Sequence, residues 1–86
     1  MSNYDPLYKW LSASSGRRIS TTFEKIESVV GFKLPETARK RPQWWANERG
    51  KTRHVQCRAW LDAGFHVEHP NLEKETVDFV LGLSRD

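Results

Sequence analysis

Thr21-Thr22-Phe23-Glu24-Lys25-Ile26-Glu27-Ser28-Val29-Val30-Gly31-Phe32-Lys33-Leu34-Pro35-Glu36 is the stretch that decides the fold of this 86-residue chain. Thr21-x-x-Glu24 has the form of a capping box: the hydroxyl accepts from the backbone at Glu24, and the carboxylate reaches back. Phe23, Ile26 and Val30 recur at helical spacing, and Gly31 closes the segment. The reading is a helix over about 22–30. Phe32-Lys33-Leu34 makes a short turn with two apolar anchors. Pro35 then opens another helix, with Glu36 at the positive end of its dipole. Two helices joined by so short a turn are the elements of a helix-turn-helix.

Upstream, Asp5-Pro6 reads as an N-cap followed by proline at the first helical position. Leu7, Trp10 and Leu11 share one face, so a helix is expected over about 6–14. Arg17 to Ser20 is a short link or a small edge strand. Downstream, Pro42 breaks the helix begun at Pro35, because it cannot donate to the residue four back. A second short helical piece carries Trp44 and Trp45. Residues 47–52 are loop-like, with Gly50 at the tip. Val55, Ala59 and Trp60 fit one face of a helix over about 53–63, which Gly64 terminates. Phe65 to His69 and Thr76 to Leu81 alternate with period two and read as two strands. The expected class is α+β: a small helical domain with a C-terminal two-stranded hairpin, resembling a winged helix-turn-helix. The helix over 53–63 is then additional, or is itself the recognition helix with residues 35–48 as an insertion.

The charge is unevenly spread. Residues 39–58 hold seven of the fourteen Lys and Arg against one acid, Glu48, a local charge of +6 within a chain of net +3. Residues 59–86 carry −4. The basic stretch also holds adjacent tryptophans and the amides of Gln43, Asn47 and Gln56, a combination suited to phosphates and base edges. One domain is expected at this length. The single cysteine, Cys57, excludes an intramolecular disulfide and fits a reducing cytoplasm. No apolar run approaches the roughly 18 residues of a membrane span, and the N-terminus has no apolar core of a signal peptide.

Leu7-Tyr8-Lys9-Trp10-Leu11, Phe23-x-x-Ile26-Glu27, Leu34-Pro35-x-x-Ala38-Arg39, Trp44-Trp45-Ala46-Asn47, His54-x-Gln56 and Ala59-Trp60-Leu61-x-Ala63-Gly64-Phe65 together resemble a family of small bacterial domains of unknown function. Its members stand alone or are attached to larger proteins, some of the restriction-nuclease type. The resemblance spans about residues 4–68. It implies a compact single domain and leans toward a DNA-related role in bacteria or phage; it implies no catalytic residue and no cofactor.

Each constellation has a blander counterpart. Arg39-Lys40-Arg41, with the bases from Arg49 onward, forms either a phosphate-binding surface or a solvated basic face near a helix end. Neighbouring residues sit about 100° apart on a helix, so Trp44 and Trp45 cannot both enter one core from one side. Either one is buried and the other partly exposed for stacking, or both are buried against different layers. Asn47 and Gln56 are of the type that pairs with adenine, but Asn47 is equally a turn residue. His54-x2-Cys57-x8-His66-x2-His69 has a metal-like spacing. Its last two members alternate faces of a strand, which opposes a closed zinc site, and a satisfied histidine and a buried thiol are the simpler reading. Cys57 with His54 or His66 is a weak nucleophile–base pair, the carboxylates Glu73, Glu75 and Asp78 have no partner pattern of a nuclease metal site, and there is no glycine-rich phosphate loop. A non-enzymatic protein is expected.

The sequence thus points to a nucleic-acid-binding domain, duplex DNA favoured. Arg39, Lys40, Arg41, Arg49, Lys51, Arg53 and Arg58 would hold phosphates, Trp44 would stack, and Gln43, Asn47 and Gln56 would read bases. The alternative is a protein-interaction module, inhibitor or accessory domain using the same basic-aromatic surface against an acidic partner. Glu68, Glu73, Glu75 and Asp78 make the hairpin acidic, so a homo-oligomer pairing it with the basic segment of a second copy is a further expectation.

Overall fold

The computed structural model describes residues 3–48 and 55–82. Its elements run α1 (Asp5–Ala13), β1 (Arg18–Thr22), α2 (Phe23–Val30), α3 (Glu36–Lys40), a 3-10 turn (Pro42–Trp45), α4 (Val55–Asp62), β2 (Phe65–Asn71) and β3 (Thr76–Leu81).

The helix expected over 22–30 is α2, but its cap is Thr22 rather than Thr21. The Thr22 hydroxyl accepts from Lys25 N at 3.0 Å; β1 runs through Thr22 and the helix begins at the next residue, Phe23, so Thr22 holds the cap position. Gly31 ends the helix at φ +86°, a left-handed conformation that costs glycine little. At α1 the cap position is taken by Tyr4 instead of Asp5, which sits inside the first turn. Pro35 caps α3, and the helix stops at Lys40. As Pro42 requires, the chain re-enters as a separate turn.

The two-stranded expectation is corrected to three. Strand β1 adds to the hairpin, giving an antiparallel sheet of order β1-β3-β2 with β3 central. Ile19 lies opposite Phe79, and Val67 opposite Phe79 from the other side. One face therefore turns Ile19, Thr21, Phe65, Val67, Val77 and Phe79 to the helices. The other face carries Arg18, Ser20, His66, Glu68, Asp78 and Val80. The β2–β3 register slips between Glu68 and Asn71. His69 sits there at φ +53°, so the alternation expected through His69 ends at Glu68.

Helix α1 packs against both α2 and α4, and α4 against β2. The core is an aromatic stack threaded through these elements. Trp45 lies between Phe23 (4.8 Å, 22°) and Trp60 (6.0 Å, 16°), and Trp60 continues to Phe79 at 5.7 Å. Such pairs contribute about 0.5–1.5 kcal/mol each beyond the area they bury, a substantial share in a domain this small. The Trp45 indole N–H donates to the Ala38 carbonyl at 2.8 Å, satisfying the one polar atom that burial would otherwise penalise.

Candidate nucleic-acid interface

Part of the basic segment takes part in holding the fold together. Arg39 projects from α3 between two acids. Its Nη1 donates to Glu27 Oε2 at 2.9 Å and its Nε to Glu75 Oε2 at 3.0 Å. The guanidinium also lies 6.0 Å from the centre of the Phe23 ring. Only 27% of the side chain is exposed. Glu27 further accepts the Leu34 N–H at 2.7 Å. The Arg39 hydrogen bond, then the Leu34 amide and the nearby cations, outweigh desolvation and hold the Glu27 carboxyl below its ordinary range. Arg39 thus ties α2, α3 and the β2–β3 turn together, and its charge is already spent.

Asn47 is also committed. Its Nδ2 donates to the Val67 carbonyl at 3.0 Å, and its Oδ1 accepts from Val67 N at 2.8 Å and from the Trp60 indole at 3.0 Å. Strand β2 is an edge, so the amide serves the open side of Val67 as a strand would. Both lone pairs of Oδ1 and one of the two Nδ2 hydrogens are thus used inside the fold, so the bidentate pairing with adenine expected of it would have to break these bonds. Gln56, 8% exposed, donates from Nε2 to the Trp44 carbonyl at 3.4 Å. Its side chain is thus mostly buried and held against the 3-10 turn.

The rest of the set faces outward. Lys40 is exposed and makes an i,i+4 ion pair with Glu36 at 3.2 Å, a contact worth little in solvent. Arg58 is exposed on α4, with Asp62 at 3.9 Å. Arg41 and Gln43 are exposed, and neither side chain has a hydrogen-bond or ion-pair partner among the described residues. Arg49, Lys51 and Arg53 lie outside the described residues. The tryptophan alternatives resolve in favour of one buried and one partly exposed: Trp45 is 2% exposed, while Trp44 is half-buried.

Trp44, Arg41 and Gln43 line an open groove of about 220 Å³ together with Thr37, Glu48 and Gln56. It runs between α3, the 3-10 turn and the first turn of α4. Cys57 is buried, with its thiol directed at the Glu48 carbonyl at 3.6 Å. His54 of the metal-like spacing is outside the described residues; His66 is buried and His69 exposed, and their Nε2 atoms lie 2.7 and 3.8 Å from the two oxygens of the Glu68 carboxylate. Among the described residues no group of three or more His, Cys, Asp and Glu could hold a metal ion.

One array was not anticipated. On the outer face of the sheet, Arg18 donates to Asp78 at 2.6 Å and to Glu68 at 3.0 Å. Both ring nitrogens of His66 face acceptors, Gly82 O at 2.8 Å and Glu68 Oε2 at 2.7 Å. The His66 hydrogen bond first, and then Arg18, holds the Glu68 carboxyl below its usual range. The signal was the alternation of residues 66, 68 and 78, which placed them on one face. The missing piece was the strand that brings Arg18 beside them. With Arg39 on Glu75, three of the four hairpin acids have cationic partners within the chain.

No helix among the described residues is long and apolar enough to cross a membrane. Comparison with curated proteins and with solved structures finds no match to this chain. A family model does match, over residues 4–81, and on that match the chain belongs to the family described as domain of unknown function DUF7662.

Proposed function

We propose that this chain is a small, non-enzymatic nucleic-acid-binding domain, favouring duplex DNA, arranged as a winged helix-turn-helix. The observation that carries the reading is the position of α4. Helix α1 packs on both α2 and α4, and α4 passes through Gly64 directly into the β2–β3 hairpin, whose sheet is completed by β1. That is the place of a recognition helix, with the hairpin as wing and residues 31–54 as an enlarged connection. A basic stretch, Arg49, Lys51 and Arg53, precedes this helix in sequence, and Arg41 and Arg58 are exposed on either side of that stretch in sequence.

The phosphate-binding set is therefore Lys40, Arg41, Arg49, Lys51, Arg53 and Arg58, without Arg39. Base reading is left to Gln43, since Asn47 and Gln56 are used inside the fold. Binding is accordingly driven by the backbone and weak in sequence preference. The burial of Cys57, 1% exposed, supports a non-enzymatic role. Arg18 and Arg39 pair with three of the four hairpin acids, so part of the negative charge that head-to-tail assembly would draw on is engaged within the chain.

The test is fluorescence anisotropy of labelled duplex DNA with the native chain and with an Arg49→Ala, Lys51→Ala, Arg53→Ala variant. The variant is expected to bind more weakly, with a salt slope shallower by about one unit per lost contact. Equal affinity of variant and native chain refutes the assignment.

A further inference from the structure

Adjacent tryptophans are treated in opposite ways by this fold. Trp45 is stacked on both sides, by Phe23 and Trp60 at interplanar angles of 22° and 16°. Trp44 meets Tyr4, Trp45 and Trp60 at 64°, 71° and 55°. These three contacts fix the indole plane, yet none of them is a parallel stack. The part of Trp44 left uncovered belongs to the groove described above. Arg41 and Gln43, on the same groove, carry a guanidinium and an amide without partners among the described residues.

Size and charge narrow the occupant. At about 220 Å³ the groove is smaller than the roughly 300–1,000 Å³ of sites for drug-sized ligands, and it suits a single flat ring system. Arg41 brings a positive charge to the groove, and beyond Glu48 the sequence continues into Arg49, Lys51 and Arg53. A flat ring presented together with negative charge is a nucleotide.

We propose that this groove receives one unpaired base of a bound nucleic acid. The base stacks on Trp44, its edge is met by the Gln43 amide, and the flanking phosphate is held by Arg41. Stacking on a pre-fixed aromatic ring tolerates any base, so the site confers preference for a distorted or single-stranded position rather than for a sequence. The inference rests on the nucleic-acid reading above and adds to it a structural selectivity that phosphate contacts alone do not give.

The experiment compares three short labelled probes by anisotropy: a perfect duplex, the same duplex with one bulged nucleotide, and the same bulge lacking its base. The expected result is affinity about tenfold higher for the bulged probe than for the perfect duplex, from a single stacked base, with the gain lost when the bulge is abasic. Trp44→Leu removes the preference and leaves perfect-duplex affinity unchanged, with circular dichroism confirming the fold. Gln43→Ala, which leaves the aromatic cluster untouched, lowers the preference about threefold for one lost hydrogen bond. Equal binding to bulged and perfect duplexes overturns the inference while the nucleic-acid reading stands. Equal gain from the intact and the abasic bulge also overturns it, because deformability would then be what is read. Absence of binding to all three probes overturns both.

Discussion

Replacing Asn47 by alanine separates a structural amide from a base-reading one. The side chain makes three hydrogen bonds, to both backbone groups of Val67 and to the Trp60 indole. Val67 and Trp60 are buried, so Asn47→Ala leaves two donors and an acceptor without partners. A hydrogen bond contributes about 0.5–1.5 kcal/mol net, and a buried group left unpaired costs about 1–3 kcal/mol. Asn47 itself is half-buried, and water entering its place recovers part of this. The estimate is therefore about 3 kcal/mol, near the sum of three ordinary bonds. Total stability for a chain of this length is about 4–13 kcal/mol, so the loss is a large fraction. At about 4–8 °C per kcal/mol for small domains, it lowers the melting temperature by roughly 12–24 °C. Urea unfolding followed by tryptophan fluorescence and by circular dichroism measures it, with the native chain and Asn47→Ala compared at the same pH. A cost below about 0.5 kcal/mol, the level of an ordinary surface substitution, would refute the reasoning. Unchanged stability with weakened DNA binding would return Asn47 to the role of base reader.

Arg39→Ala is expected to destabilise the domain by about 1–2 kcal/mol, because the charge-assisted bonds to Glu27 and Glu75 are lost in a partly solvated setting. Its affinity for duplex DNA stays within about twofold, since no phosphate contact is removed; a drop in salt slope of one unit would contradict this. Glu27 gives an acid limb to the stability profile. Its folded pKa is lowered by Arg39 and the Leu34 amide, so its contribution is complete above the unfolded value of about 4.3 and disappears as pH falls through the lowered folded value. Glu27→Gln should flatten the pH dependence of the urea midpoint between about pH 5 and pH 2, and an unchanged profile counts against the pairing.

What could be read from the sequence was what local physics decides. The α2 periodicity, its glycine stop, the proline that separates α3 from the 3-10 turn and the alternation of β3 all depend on neighbours within a few residues. The angular argument on Trp44 and Trp45 was of the same kind. What escaped depends on partners distant along the chain. At Arg17 to Ser20 the small edge strand was one of two options read, and it is the one found, but nothing local chooses it: Arg18 to Ser20 has one apolar residue, Ile19, and pairs with β3 some sixty residues later. Arg39 stood in a basic run, and its withdrawal from the surface is dictated by Glu27 and Glu75, 12 and 36 residues away. Asn47 and Gln56 have the chemistry of base readers; burial against Val67, Trp60 and Trp44 uses that chemistry internally. Residue type announces what a side chain can do, and tertiary position decides whether it remains free to do it.

The most direct test of the account is the salt dependence of duplex DNA binding by the native chain. The six cations of the phosphate-binding set, Lys40, Arg41, Arg49, Lys51, Arg53 and Arg58, each engaging one phosphate, give a slope of log affinity against log salt of about −5.4. Affinity would fall roughly 1,800-fold between about 50 and 200 mM salt. That steep loss is the predicted result. A slope near zero, or no binding at the lower salt, would contradict the claim that this basic segment engages a nucleic-acid backbone.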